Sequence, residues 1–180
     1  ANATDLSLFT VEASTISLAG VTSTGDQDYT GATTATGNLS TTIDGSISFT
    51  GDGTVAGNVS TTGGDIDFNN NASLAGNLTA SGGNIDVTGT TTLTGASQNF
   101  TTSGGTVTLA AVNGPANLSI SAPSAVVTVG TVGATPLQSF VASGATINML
   151  STATTTGGQT YDGNASFAGN LTTTGGAVNV

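Results

Sequence analysis

The sequence predicts an all-β protein, a parallel β-solenoid with three short strands in each coil of about 19–20 residues. Three observations predict it. The chain repeats itself: AGNVSTTGGDIDF at 56–68 returns as AGNLTASGGNIDV at 75–87 and as AGNLTTTGGAVNV at 168–180, with a fainter copy, TGNLSTTIDGSISF, at 36–49. Apolar and polar residues alternate over short pairs, the period of a strand with one buried face. Gly, Asn and Thr separate these pairs and no stretch keeps a 3.6-residue period, so abundant Gly and β-branched Thr and Val argue against helix.

The elements follow in order along each unit. The pairs after the Gly-rich turns are Ile47/Phe49, Ile66/Phe68, Ile85/Val87, Val107/Leu109, Val127/Val129 and Ile147/Met149, with Val178/Val180 closing the series. From Phe49 to Met149 they recur at steps of 19, 19, 22, 20 and 20 residues. About seven residues before each pair stands another apolar residue: Leu39, Val59, Leu78, Phe100, Ile120, Phe140 and Leu171. A third series is Val55, Leu74, Leu93 and Phe167. Equivalent positions recur in one direction once per unit, which favours a coil over an array of hairpins. Such a coil returns about 4.8 Å higher and buries its apolar stripe only by stacking on its neighbours.

A longer repeat overlays the short one. Phe9, Ile16, Tyr29 and Leu39 match Phe140, Ile147, Tyr161 and Leu171 at offsets of 131, 131, 132 and 132. Residues 9–42 thus resemble 140–174, and 1–180 reads as a single solenoid, a unit or segment of a longer array. The stretch 110–138, with Pro115, Pro123 and Pro136, is expected to hold less regular coils. Tyr29 and Tyr161 are expected in the positions that Phe68 and Val87 hold in other coils, with the hydroxyl near the rim. The closing Ala177, Val178, Asn179 and Val180 read as a coil strand with an open edge, hence an assembly edge for a second copy or for continuation of the chain.

Composition removes much chemistry. The 180 residues include no Cys, His, Lys, Arg or Trp, and the ten acidic groups give a net charge of −10. A Ser-His-Asp triad, a Cys-His pair, a Schiff-base lysine and a Cys/His zinc site are therefore excluded. No basic patch exists to release counterions from nucleic acid, and the charge repels nucleic acid and anionic membranes. No run of about 18 apolar residues encodes a membrane-spanning helix. The start, ANATDLSLF, reads as mature or excised sequence.

The words GGQTYDGNASFAGNLTTTGG (157–176) and GDQDYTGATTATGNLSTT (25–42) resemble the repeats of filamentous-haemagglutinin-type exoproteins of two-partner secretion and of related autotransporters. Gln27, Tyr29, Gly31 and Gln159, Tyr161, Gly163 match the family's Q-x-Y-x-G words. The resemblance implies a right-handed coil, export to the bacterial cell surface, and adhesive or filament-forming work.

Candidate sites are few. Asp65 and Asp67 flank an inward Ile66, and Asn84 and Asp86 take the same places one coil later. Stacking brings Asp67 and Asp86 within a strand spacing, where like charges repel and a hard cation such as Ca²⁺ relieves the repulsion. A solvated acidic face is the simpler reading, no cofactor is required, and GGDIDFNNN lacks the third Gly of the glycine-rich calcium repeat. Paired carboxylates also raise glycoside hydrolysis, but nothing else suggests a sugar-cleaving cleft. Nine Asn-x-Ser/Thr sequons occur, at Asn2, Asn38, Asn58, Asn71, Asn77, Asn99, Asn117, Asn164 and Asn170. Asn38, Asn58, Asn77 and Asn170 are copies of one position, read either as a ladder of stacked amides or as a ridge of glycosylation sites. Flat Thr ranks suit an ice-binding solenoid, but the outward row Ser48, Asp67, Asp86, Thr108, Thr128, Asn148 is irregular and charged. The expectation is a non-enzymatic extracellular rod or fibre, formed by stacking or within a long chain. The alternative is an adhesin segment binding glycans or surfaces, and ice binding is the remote one.

Overall fold

A computed structural model describes residues 6–180; Asn2 and the first five positions of the 1–180 unit lie outside the described residues. It is a parallel β-solenoid of stacked coils. All nineteen strands join one sheet, every pairing among the described residues is parallel, and no helix occurs among them.

The coil has three faces. On the first, Phe9, Gln27, Ile47, Ile66, Ile85, Val107, Val127, Ile147 and Ala165 stand in register, one per coil. On the second, Thr33, Gly53, Ala72, Thr91, Val112, Val132, Ala153 and Leu171 do so. On the third, Val21, Leu39, Val59, Leu78, Phe100, Ile120, Ala142 and Tyr161 follow one another. Short strands such as Ile47–Phe49 and Val59–Thr61 cover one face each, whereas Asn117–Leu137 runs unbroken round all three.

Seven of the ten three-residue strands read buried, half-buried, buried, and in all but Leu171–Thr173 two residues face the core and the middle one faces out. The inward residues form one continuous apolar column from Ile16 to Tyr161. Burying a Leu, Ile or Phe contributes about 1.5–3 kcal/mol, and in a coil this thin that gain exists only while a neighbour lies on top.

The recurring Gly pairs have a packing cause. Gly45, Gly64, Gly83 and Gly105 stack at the corner leading to the first face, and a Cβ on Gly64 would come within 2.4 Å of the Gly45 carbonyl carbon. None of these four has a positive φ; the requirement is close backbone approach. In the less regular stretch the register shifts between Ala122 and Val126 and between Val132 and Leu137, with Gly133 at φ 86°.

The stacking corrects three alignments. Val178 pairs with Gln159, and so with the third-face strand of Phe140, rather than closing the first-face series. Leu171 lies on the second face, and Phe167 lies on the first, opposite Met149. Tyr161 stands on the third face beside Ala142, while Tyr29 stands on the first beside Phe49.

One cause unites these differences. From Phe9, six steps of register lead round the first face to Val127, and the chain then crosses the second face before reaching Phe140 on the third. The long repeat therefore spans six turns and two further faces. Its second copy is the same structure carried two faces on, two-thirds of a turn further round.

Candidate functional site

The corners of the solenoid carry the most regular polar chemistry. At the corner before the third face, Asn58 N donates to Asn38 Oδ1 at 2.9 Å, Asn77 N to Asn58 Oδ1 at 2.9 Å and Asn99 N to Asn77 Oδ1 at 2.8 Å. Each side-chain oxygen thus accepts the main-chain N–H of the next coil, rather than an amide bonding to an amide. The corner before the first face repeats the device with other residues: Asp26 accepts from Ser46 N, Ser46 Oγ from Asp65 N, Asp65 from Asn84 N and Asn84 from Thr106 N. Asp52 and Asn71 do the same before the second face. Asn170 is placed at this second-face corner, where its carbonyl accepts from Ala153 N, and not over Asn38, Asn58 and Asn77.

The sequons follow from strand parity. Asn38-Leu39-Ser40, Asn58-Val59-Ser60 and Asn77-Leu78-Thr79 each put Asn and the hydroxyl outside with the apolar residue inside. Stacking then makes an outward column of hydroxyls: Thr22, Ser40, Ser60, Thr79, Thr101, Ser121 and Ser143. The first-face row is irregular, as its residues Ser48, Asp67, Asp86, Thr108 and Thr128 indicate; the ordered hydroxyl row is on the third face, which sequence reasoning passed over. Its signal was the residue after each of Leu39, Val59, Leu78 and Phe100. Together the two columns line a polar trough of about 450 Å³ between Thr22 and Thr79.

The first face gathers the acids. Asp67 and Asp86 are register partners on adjacent coils, both half-buried. Burial, then the charges of Asp65 and Asp86, push Asp67 up to about 6. Burial raises Asp86 as well, partly offset by a hydrogen bond from Thr108, with Asp65 adding to the rise. Asp65 itself is turned to the corner, its Oδ1 accepting from Asn84 N at 2.6 Å. Among the described residues, no group of three or more His, Cys, Asp or Glu is arranged to hold a metal ion.

Sequence reasoning missed a buried polar network. Tyr29 Oη donates to Gln27 Oε1 at 2.8 Å, and Gln27 Nε2 donates to Ser23 Oγ at 2.9 Å and to the Ser40 carbonyl at 2.7 Å. Tyr161 and Gln159 repeat it with Thr155 and the Thr172 carbonyl. The tyrosine hydroxyls therefore point inward and not to the rim, and burial raises both phenol groups. The clue was parity: in Q-x-Y both residues share one face of the strand.

At the far end, Gln159 N donates to the Ala177 carbonyl at 2.9 Å, and Val178 and Asn179 pair with Gln159 and Thr160. Val178 is 40% and Val180 76% exposed. Comparison with protein-family models, with curated proteins and with solved structures gives no match.

Proposed function

We propose that this chain is a structural element of an extracellular bacterial surface protein, a stiff rod that supplies length and a repeating polar surface. One observation carries the reading: residues 9–42 and 140–174 build the same coils on different faces, so coils of this sequence stack interchangeably. Such a stack extends without a change of interface, through further coils of one chain or through a second copy on the edge of Ala177, Val178, Asn179 and Val180. The likeness of the Q-x-Y-x-G words to filamentous-haemagglutinin-type repeats supports the location at a cell surface.

Electron microscopy of the native material, with intact-mass measurement, tests this. Rods longer than the roughly 40 Å that nine coils span at about 4.8 Å each, from a chain of this mass, mean stacked copies. Rods whose length scales with a larger chain mean a covalent array. Short monomers at all concentrations overturn the fibre.

A second reading has its own observation. The third-face trough offers fixed Asn amides and hydroxyls once per coil, a surface on which a glycan chain makes repeated weak contacts. Saturable binding of oligosaccharides by monomers, lost on replacing Ser40, Ser60 and Thr79 by Val, favours the adhesin segment over the plain rod.

A further inference from the structure

The first face holds a groove that neither reading uses. Its volume is about 630 Å³, and it runs along the rod from Asp67 and Asp86 past Val87, Leu109 and Ala110 to Leu150. It exists because outward bulk falls away along this lane: Asn69 and Thr88 give way to Ala110 and Gly130 before Leu150 rises at the far end, 60% exposed. One end is acidic and the rest is mainly apolar.

We propose that this groove is a docking site for an extended segment of a partner protein, with a lysine or arginine over Asp67 and Asp86 and an apolar side chain against Leu150. The charge requirement selects the occupant. The two carboxylates are partly desolvated and face each other across one strand spacing, and the chain contains no Lys, Arg or His to answer them. A second copy carries −10 and no cationic side chain, so it cannot fill the site either.

A calcium ion fits less well. It takes six to eight oxygens, whereas Asp65 is committed to Asn84 N and no third acidic ligand joins the pair among the described residues. It would also leave the apolar length unused. A neutral apolar ligand would cover the carboxylates without pairing them, which is unfavourable. A lysine or arginine matches both halves, its aliphatic stem lying on the Thr108 methyl and Ala110, which face out above the buried Val87 and Leu109, and its charged head on the acids. Leu150 lies about 17 Å further along, at one strand spacing per coil, and so roughly four to six residues along an extended chain.

The probe is a short Ser/Gly peptide with two lysines and, about five residues on, a leucine, beside its twin with both lysines acetylated. Binding is followed by amide NMR shifts at low salt. The expected result is saturable shifts at Asp67, Asp86, Thr108 and Leu150 with the lysine peptide, and none with the acetylated twin. Affinity should fall about tenfold in the D67N/D86N double variant. Leu150→Ala should weaken binding about threefold, and Asp162→Asn, an exposed acid on another face, by less than twofold. Circular dichroism melting checks that each variant is folded. Equal losses in all the Asp variants would mean diffuse attraction to an acidic rod and overturn the proposal. So would calcium chloride alone producing the same saturable shifts and displacing the peptide, which would make the pair an ion site. No shifts with either peptide overturns it outright.

Discussion

Tyr29 and Tyr161 make the same bond on different faces of the solenoid. Each donates its hydroxyl to the glutamine two residues earlier, at 2.8 and 2.9 Å, and each leans on the phenylalanine of the preceding coil, Phe9 and Phe140, at ring separations of 5.9 and 5.8 Å. Yet Tyr29 stacks on Phe49 in the first face, while Tyr161 stands beside Ala142 in the third and meets Phe167 edge-on. The buried network is thus a property of the local coil, indifferent to which face it occupies.

Breaking that network is expected to be costly. Tyr29→Phe strands the Gln27 oxygen inside the core and should lower stability by about 1–3 kcal/mol. Gln27→Leu combined with Tyr29→Phe removes both partners and should cost clearly less than the sum of the singles. Urea unfolding of the four proteins in a double-mutant cycle measures the coupling. Additive losses would rule out a shared bond as their cause.

Stability should fall as pH rises through the range set by Asp67. Its folded pKa of about 6 lies above the ordinary carboxylate value of 3.8. The folded state therefore holds a proton that the unfolded chain releases, and the benefit is full below the unfolded value and lost as pH rises through about 6. Asp65 and Asp86 are the charges facing it, and Ser48 on the preceding coil is neutral. Solvent screening of a half-exposed group leaves an expected loss of about 1 kcal/mol. Asp67→Asn should flatten the melting temperature between pH 4 and pH 6.5, about the titration range, and an unchanged profile would contradict the placement of this carboxyl.

The Asn corner bonds are separable from mere surface polarity. Asn58→Ala removes an acceptor for Asn77 N and should cost about 0.5–1.5 kcal/mol. Asn170→Ala, whose side chain makes no hydrogen bond among the described residues, should stay within about 0.5 kcal/mol. Chemical denaturation distinguishes them, and equal effects would show the ladder to be energetically idle.

Gly64→Ala forces a methyl group against the Gly45 backbone, with no flexible side chain to yield. A loss of about 2–3 kcal/mol is expected. Ser81→Ala, nearby but exposed, serves as the control, and similar melting temperatures for the two variants would deny the close stacking.

The coil, its three faces and most inward residues were legible in the sequence, because alternation and recurrence are local: Ile47/Phe49, Ile66/Phe68 and Ile85/Val87 announce a buried pair wherever they fall. The outward placement of Asp67 and Asp86 followed from the same parity. The face on which a late coil lands was not legible. It depends on counting every corner between Phe9 and Phe140, and corners vary in length, so a repeat faithful in sequence arrives two-thirds of a turn out of phase. Nor could the sequence alone determine that Gln27 and Gln159 turn inward, since the tyrosine hydroxyl and the main-chain carbonyl that satisfy each amide are brought to it by the coiling. The groove ending at Leu150 is also a decision of the tertiary structure: Asp67 and Leu150 are distant in the chain, and stacking alone sets them along one lane.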